Sequence, residues 1–274
     1  PRHNFEYEAM MNAPSILDAS WTFGQALEAS GYKGDKAVRL SRDNALCMFE
    51  THIEQGPILE DAGNEIGVVD CVMGMYNFRL CFCGQTVHAG TFPMKKRKDA
   101  FLAAAQALIY LHEKIDALGV DDLVYTTGEL NCHPRVHSCV ADYFDFTFDV
   151  RHTDAAVIQQ VCDIVKSCEK IKWAGCTCEV KKQWNRDTVF WDSRLISYVE
   201  EAAQEVGASY QRIHSGAGHD AQFVAYMLPT TMIFVQSRGG LSHCEEEFSE
   251  LEHCTMGATI MLQAVLKADQ HFAG

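Results

Sequence analysis

The chain has 274 residues, enough for one large domain or two ordinary ones, and either can bury a substantial core. Its formal net charge of -14 would repel a phosphate backbone, which argues against nucleic-acid binding. No apolar run reaches bilayer length, and 47% apolar with 22% charged residues is the composition of a soluble globular protein.

In chain order, the first strong signal is the short apolar run 46–50, of the kind that becomes a buried parallel strand. Residues 75–83 then alternate, with Tyr76, Phe78, Leu80 and Phe82 on one face and Asn77, Arg79, Cys81 and Cys83 on the other. A helix is predicted from about Asp99 to Leu118 through Phe101, Ala104, Leu108, Leu111, Ile115 and Leu118, with Gly119 as its stop. A short strand near Leu123–Thr127 follows, and then the clearest strand, Tyr143–His152, with Phe144, Phe146, Phe148 and Val150 on one face. Thr153 is a candidate cap for a second helix carrying Val157, Val161, Ile164, Val165 and Cys168, and Gly175 precedes a strand through Cys178, Val180, Lys182 and Trp184.

Strand, helix, strand, strand, helix, strand is the ferredoxin-like split βαβ order, with helices on one face of a four-stranded antiparallel sheet. The other face is rich in polar residues. Beyond it, 230–235 is a second buried-strand run, flanked by helical periodicity over Leu195–Val206, stopped by Gly207, and from about Leu251 to Ala268. The expected fold is therefore an α/β domain, residues 1–72 and 188–274, interrupted by an α+β unit at 73–187.

Twelve cysteines raise the question of disulfides or zinc, and their spacing answers against both. Cys81/Cys83 and Cys176/Cys178 are C-x-C pairs in alternating stretches, no C-x-x-C occurs, and the rest lie in apolar or helical segments. A reducing cytoplasm explains this usage most simply.

Three segments place a histidine beside glycine and small or polar residues. They are Thr51-His52-Ile53-Glu54-Gln55-Gly56-Pro57, Val87-His88-Ala89-Gly90-Thr91-Phe92-Pro93-Met94 and Gly240-Leu241-Ser242-His243-Cys244-Glu245-Glu246-Glu247. His52 is expected at the carboxyl end of a strand, where open α/β sheets build their sites, although a lone histidine there is more often structural. His243 lies in a loop after another buried strand, and Glu245–Glu247 suit a helix start. His88 ends the first strand of the inserted unit, so it should not share a rim with His52. Arg151 could clamp a carboxylate, or simply pair with Asp149 or Asp145. Ser215-Gly216-Ala217-Gly218-His219-Asp220-Ala221 precedes a helix but matches neither a phosphate loop nor a nucleophile elbow.

The phrases H-I-E-Q-G-P-I-L-E, H-A-G-T-x-P-M followed by R-x-D-A, S-G-A-G-H-D-A and G-x-S-H-x-x-x-E, in this order and spread over about residues 5–265, resemble the hydantoinase/carbamoylase branch of the dinuclear-metal amidases and carboxypeptidases. The resemblance implies a metallopeptidase-like α/β catalytic domain with an α+β lid and dimerisation domain. It also implies a metal-dependent amidohydrolase acting on an N-carbamoyl amino acid, allantoate or a related ureido acid. Two divalent ions, zinc or manganese, would activate water, with His52 on one ion and His243 on the other. His88 would stabilise the oxyanion across a homodimer interface, Arg151 would hold the substrate carboxylate, and Gln55 and His219 would line the pocket.

Two departures qualify this. The family's substrate-binding asparagine is replaced by Ser138, in Pro134-Arg135-Val136-His137-Ser138-Cys139-Val140. The family's H-x-D segment, bridging aspartate and Glu-Glu pair would fall upstream of Pro1, and the sequence pattern assigns none of Glu6, Glu8 or Glu54 to their roles. The expectation is that this chain alone is inactive or crippled and can lack the metals. The alternatives are a non-catalytic dimeric binding protein, or a hydrolase of N-acyl amino acids or dipeptides.

Overall fold

A computed structural model describes residues 7–15, 18–34 and 40–272, so Glu6 lies outside the described residues. The chain divides into two compact units, residues 1–45 and 46–274. In the first, α1 (Tyr7–Met11) and α2 (Phe23–Ser30) carry the regular structure. Thr22 and Gln25 exchange side-chain to backbone hydrogen bonds across the start of α2, and Gly31 closes it at φ 77°.

The second unit holds two sheets. One comprises β1 (Met48–Ile53), β2 (Ile66–Val72), β8 (Val189–Phe190), β9 (Tyr210–Ser215) and β10 (Thr230–Val235). β10 lies parallel to β1 and antiparallel to β2, while β2 pairs in parallel with β9 and antiparallel with β8. The helices of this part are α3 (Ile58–Ala62), α6 (Ser193–Val206), α7 (Ala221–Val224) and α8 (Leu251–Phe272). Val68, Val69, Val199, Ala203, Ile233 and Ile260 are among the fully buried residues between sheet and helices. The predicted strand at 230–235 is buried throughout, whereas every residue of β1 is only half-buried.

The other sheet is antiparallel, in the order β4 (Val124–Thr126), β6 (Tyr143–His152), β3 (Gly74–Cys83), β7 (Thr177–Arg186), with β5 (Leu130–His133) also paired to β6. Phe78, Leu80 and Phe82 stand opposite Phe148, Phe146 and Phe144. This apolar face packs under α4 (Ala100–Asp116) and α5 (Ala155–Ser167), each burying one stripe.

Several details differ from the sequence expectation. β5 is a fifth strand, and its alternation is weak because both end residues are exposed. Asp154, not Thr153, caps α5, accepting from the Ala156 amide. α4 buries Ala100, Ala103, Ala104 and Ala107 ahead of Leu111 and Ile115, while Phe101 stays outside and meets the Phe144 ring edge at 5.2 Å between centroids. Ala117 rather than Gly119 ends the helix.

The polar face of this sheet is organised rather than merely wet. Arg79 pairs with Asp145 and, at 2.6 Å, with Glu129, and Asn131 donates to Asp145 at 3.1 Å. All twelve cysteines are free, and among the described residues no helix is long and apolar enough to cross a membrane.

Candidate functional site

The candidate residues fall into three groups. The first lies along β1, where alternation sends Glu50 and His52 to the same face. His219, in the turn before α7, meets them there: its ring centroid is 4.7 Å from that of His52, edge to face. One ligand-capable atom each from Glu50, His52 and His219 lies within 4.8 Å of the other two. His219 is almost fully buried, and burial, followed by the nearby His52 imidazole, pulls its pKa down to about 4. Its ring is therefore neutral at physiological pH.

The second group lines a cavity of about 400 Å³. Gln55 and His243 enter it from loops after β1 and β10, Arg151 from β6, and Gly216 and Ala217 from the loop after β9. Gln55 and His243 both hold φ near 60°, which costs a side-chain-bearing residue roughly 1–2 kcal/mol and must be enforced by surroundings. The enforcement is visible. The Gln55 amide donates to Ser237 Oγ at 3.0 Å, and Gln55 Nε2 donates to Ser242 Oγ at 3.0 Å. Glu247 folds back to accept from Ser242 Oγ at 2.6 Å and from the His243 amide at 3.0 Å, contacts that lower its pKa.

Glu245–Glu247 therefore do not begin a helix; α8 starts at Leu251. Gly240 makes the loop crossing possible, since a Cβ there would sit 2.6 Å from the Pro57 nitrogen.

Arg151 combines both readings of its sequence position. Its Nε donates to Asp149 at 2.7 Å, and its Nη1 donates to the Gly216 carbonyl oxygen at 2.8 Å. Glu54 also lines the cavity, yet its two carboxylate oxygens accept the Ile58 and Leu59 amides at 2.8 and 2.9 Å. It caps α3, and burial still raises its pKa.

His88 and Ser138 form the third group, at the end of β3. His88 bridges Cys139, and the Ala89 amide donates to the Ser138 carbonyl oxygen at 2.8 Å. Neither lines the cavity. His52 and His243 likewise fall in separate groups, with His243 Nε2 facing Gln55 Nε2 at 3.5 Å.

Sequence reasoning missed Glu50 and His214. The two-residue step from Glu50 to His52 was a usable signal. His214 lines the cavity from β9, and no motif marks it.

The donor chemistry bears on metals. One carboxylate and two imidazoles suit a single divalent ion of the zinc type. A bridged pair needs a further carboxylate set, and among the described residues no second such group occurs.

Comparisons with known proteins identify the relatives of this chain. The chain is 33% identical to an N-carbamoyl-L-amino-acid amidohydrolase of Rhizobium meliloti over 273 residues, 97% of this chain and 62% of that protein. It is 33% identical to an allantoate amidohydrolase of Escherichia coli strain K12, covering 89% of this chain and 60% of that protein. A crystal structure described as an amidase of the hydantoinase/carbamoylase family, from Burkholderia vietnamiensis, superposes with a TM-score of 0.81 at 32% identity, covering 96% of this chain and 63% of that one. The chain thus spans about three-fifths of the length of the relatives it matches. A family model described as peptidase family M20/M25/M40 matches residues 13–267, and the chain belongs to that family.

Proposed function

We propose that the protein serves a metal-dependent amidohydrolase reaction that cleaves a C–N bond of an N-carbamoyl amino acid, allantoate or a similar ureido acid. The observation that carries this reading is the convergence of Gln55, Arg151 and His243 on one cavity beside the Glu50–His52–His219 group. The names of the relatives, both ureido-acid amidohydrolases, point the same way.

Arg151 supplies a fixed positive charge for the substrate carboxylate. Two of its donors are already committed, which holds the guanidinium in place rather than leaving it to search. Gln55 and His219, whose ring burial keeps neutral, would line the substrate pocket. His52 on one side and His243 on the other would each hold a divalent ion, zinc or manganese, which would supply Lewis acidity to activate water and polarise the scissile carbonyl. Two such ions are the expectation for the working site.

The division into 1–72, 73–187 and 188–274 follows from the same reading, with 73–187 acting as a ferredoxin-like lid and dimerisation domain. His88 and Ser138 lie apart from their own chain's cavity, which supports their serving the site of a second copy in a homodimer. Twelve free thiols support a reducing cytoplasm.

The reaction class is tested by comparing products. With added manganese or zinc, N-carbamoyl amino acids and allantoate should release ammonia, however slowly, and a chelator should stop it. Release of amino acid from N-acyl substrates, with no ammonia from any ureido acid, would replace this reading with an acylase or dipeptidase.

A further inference from the structure

We propose that the protein carries a second small-molecule site, where the chain crosses between its two sheets, and that this site takes an organic ammonium ion with an aryl-alkyl tail. It shares no residue with the cavity that Arg151 lines, and it does not depend on the ureido reading.

The chain passes between the sheets twice, from β2 into β3 at 72–74 and from β7 into β8 at 186–189. A cavity of about 510 Å³ opens at this place. Thr188 holds its floor. Its Oγ1 donates to the Thr153 carbonyl oxygen at 2.8 Å and accepts from the Gly74 amide at 3.1 Å, so one hydroxyl ties both crossings to the turn before α5. A Cβ on Gly74 would lie 2.7 Å from Ile158 Cδ1, which means that the first crossing runs hard against α5. Walls fixed in this way give a preformed pocket, as small-molecule sites usually are.

The lining has a definite chemistry. Ile158 is buried and supplies an aliphatic wall, Tyr76 is half-buried, and Phe190, 70% exposed, leaves its ring available as the outer wall. Asp154 and Asp187 face the same space, and no lysine, arginine or histidine lines it. The donors on the two carboxylates are neutral. Asp187 accepts from the Tyr76 hydroxyl at 2.9 Å and from Asn185 Nδ2 at 3.4 Å, and Asp154 accepts from the Ala156 amide at 2.7 Å. Two negative charges beside aromatic and aliphatic walls complement a cation with an apolar body.

Two positive features nearby do not reverse this sign. The N-terminus of α5 carries a partial charge only, and its cap Asp154 already faces it. Lys182 Nζ stands 5.8 Å from the Tyr76 ring centroid but outside the lining.

The test is titration calorimetry of the full chain with three probes of similar shape: phenethylamine, phenethyl alcohol and hydrocinnamate. Saturable binding of one phenethylamine per chain is expected, with the neutral alcohol and the anionic acid each at least about tenfold weaker. Asp187→Asn keeps an acceptor for the Tyr76 hydroxyl and removes the charge, so it should bind the amine at least about tenfold more weakly. Phe190→Ala, at an exposed position, should weaken binding severalfold with the thermal midpoint unchanged. No saturable binding of the amine, equal binding of amine and alcohol, tighter binding of the acid, or an unchanged affinity in either variant overturns the proposal. The comparison of probes on the wild type stands without any variant. None of the probes is a ureido acid, so this site and the proposed reaction can fail independently.

Discussion

Arg151 donates from Nη1 to the Gly216 carbonyl oxygen at 2.8 Å, joining the antiparallel sheet to the loop after β9 across the cavity. A lysine can keep the charge but not the planar fork that reaches Asp149 and Gly216 together. Arg151→Lys is expected to weaken binding of a carboxylate-bearing ligand by about 1–3 kcal/mol, with the fold retained. Titration calorimetry of the two proteins checks this, and equal dissociation constants would remove Arg151 from the site.

Close packing of α8 on its sheet depends on Gly257. A Cβ at that position would lie 2.5 Å from Val235 Cγ1 and 3.0 Å from Thr51 Cγ2. Gly257→Val should therefore destabilise the protein by about 1–3 kcal/mol through overpacking. The expected signature is a lower urea midpoint with an unchanged slope; an unchanged midpoint would mean the helix can shift at no cost.

The alternating phenylalanines of β6 made its ends legible to the residue, because one face had to be buried and the other had to stay polar. β5 was not legible, since its half-exposed residues follow no clear period and its pairing to β6 comes from the tertiary fold. The loop histidines were found through motifs, but their grouping was not. Nothing local announces that Ser215 and Glu50 lie beside His219. The three glutamates after His243 looked like a helix start, whereas Glu247 is drawn back by Ser242.

Thiol chemistry gives an independent check of the two cores. Cys83, Cys244 and Cys254 are exposed, while Cys71, Cys81, Cys162, Cys168, Cys176 and Cys178 are buried. Burial pushes Cys71 and Cys168 up to about 12, so only about 1 in 10,000 of either is thiolate at pH 8. Alkylation at pH 8 should modify the exposed three and leave Cys71 and Cys168 unmodified until denaturant is added. Mass spectrometry of labelled peptides reads this directly, and early labelling of Cys168 would contradict its place between α5 and the sheet.

Whether the cavity lined by Arg151, Gln55 and His243 holds a ureido acid by its carboxylate is read by a paired binding measurement. An N-carbamoyl amino acid and its carboxamide analogue differ only at the group Arg151 is said to hold. Saturation-transfer NMR with each should show the acid bound and competed by allantoate, and the carboxamide weakened by at least about tenfold. Equal binding of the two, or none by the acid, would contradict the account.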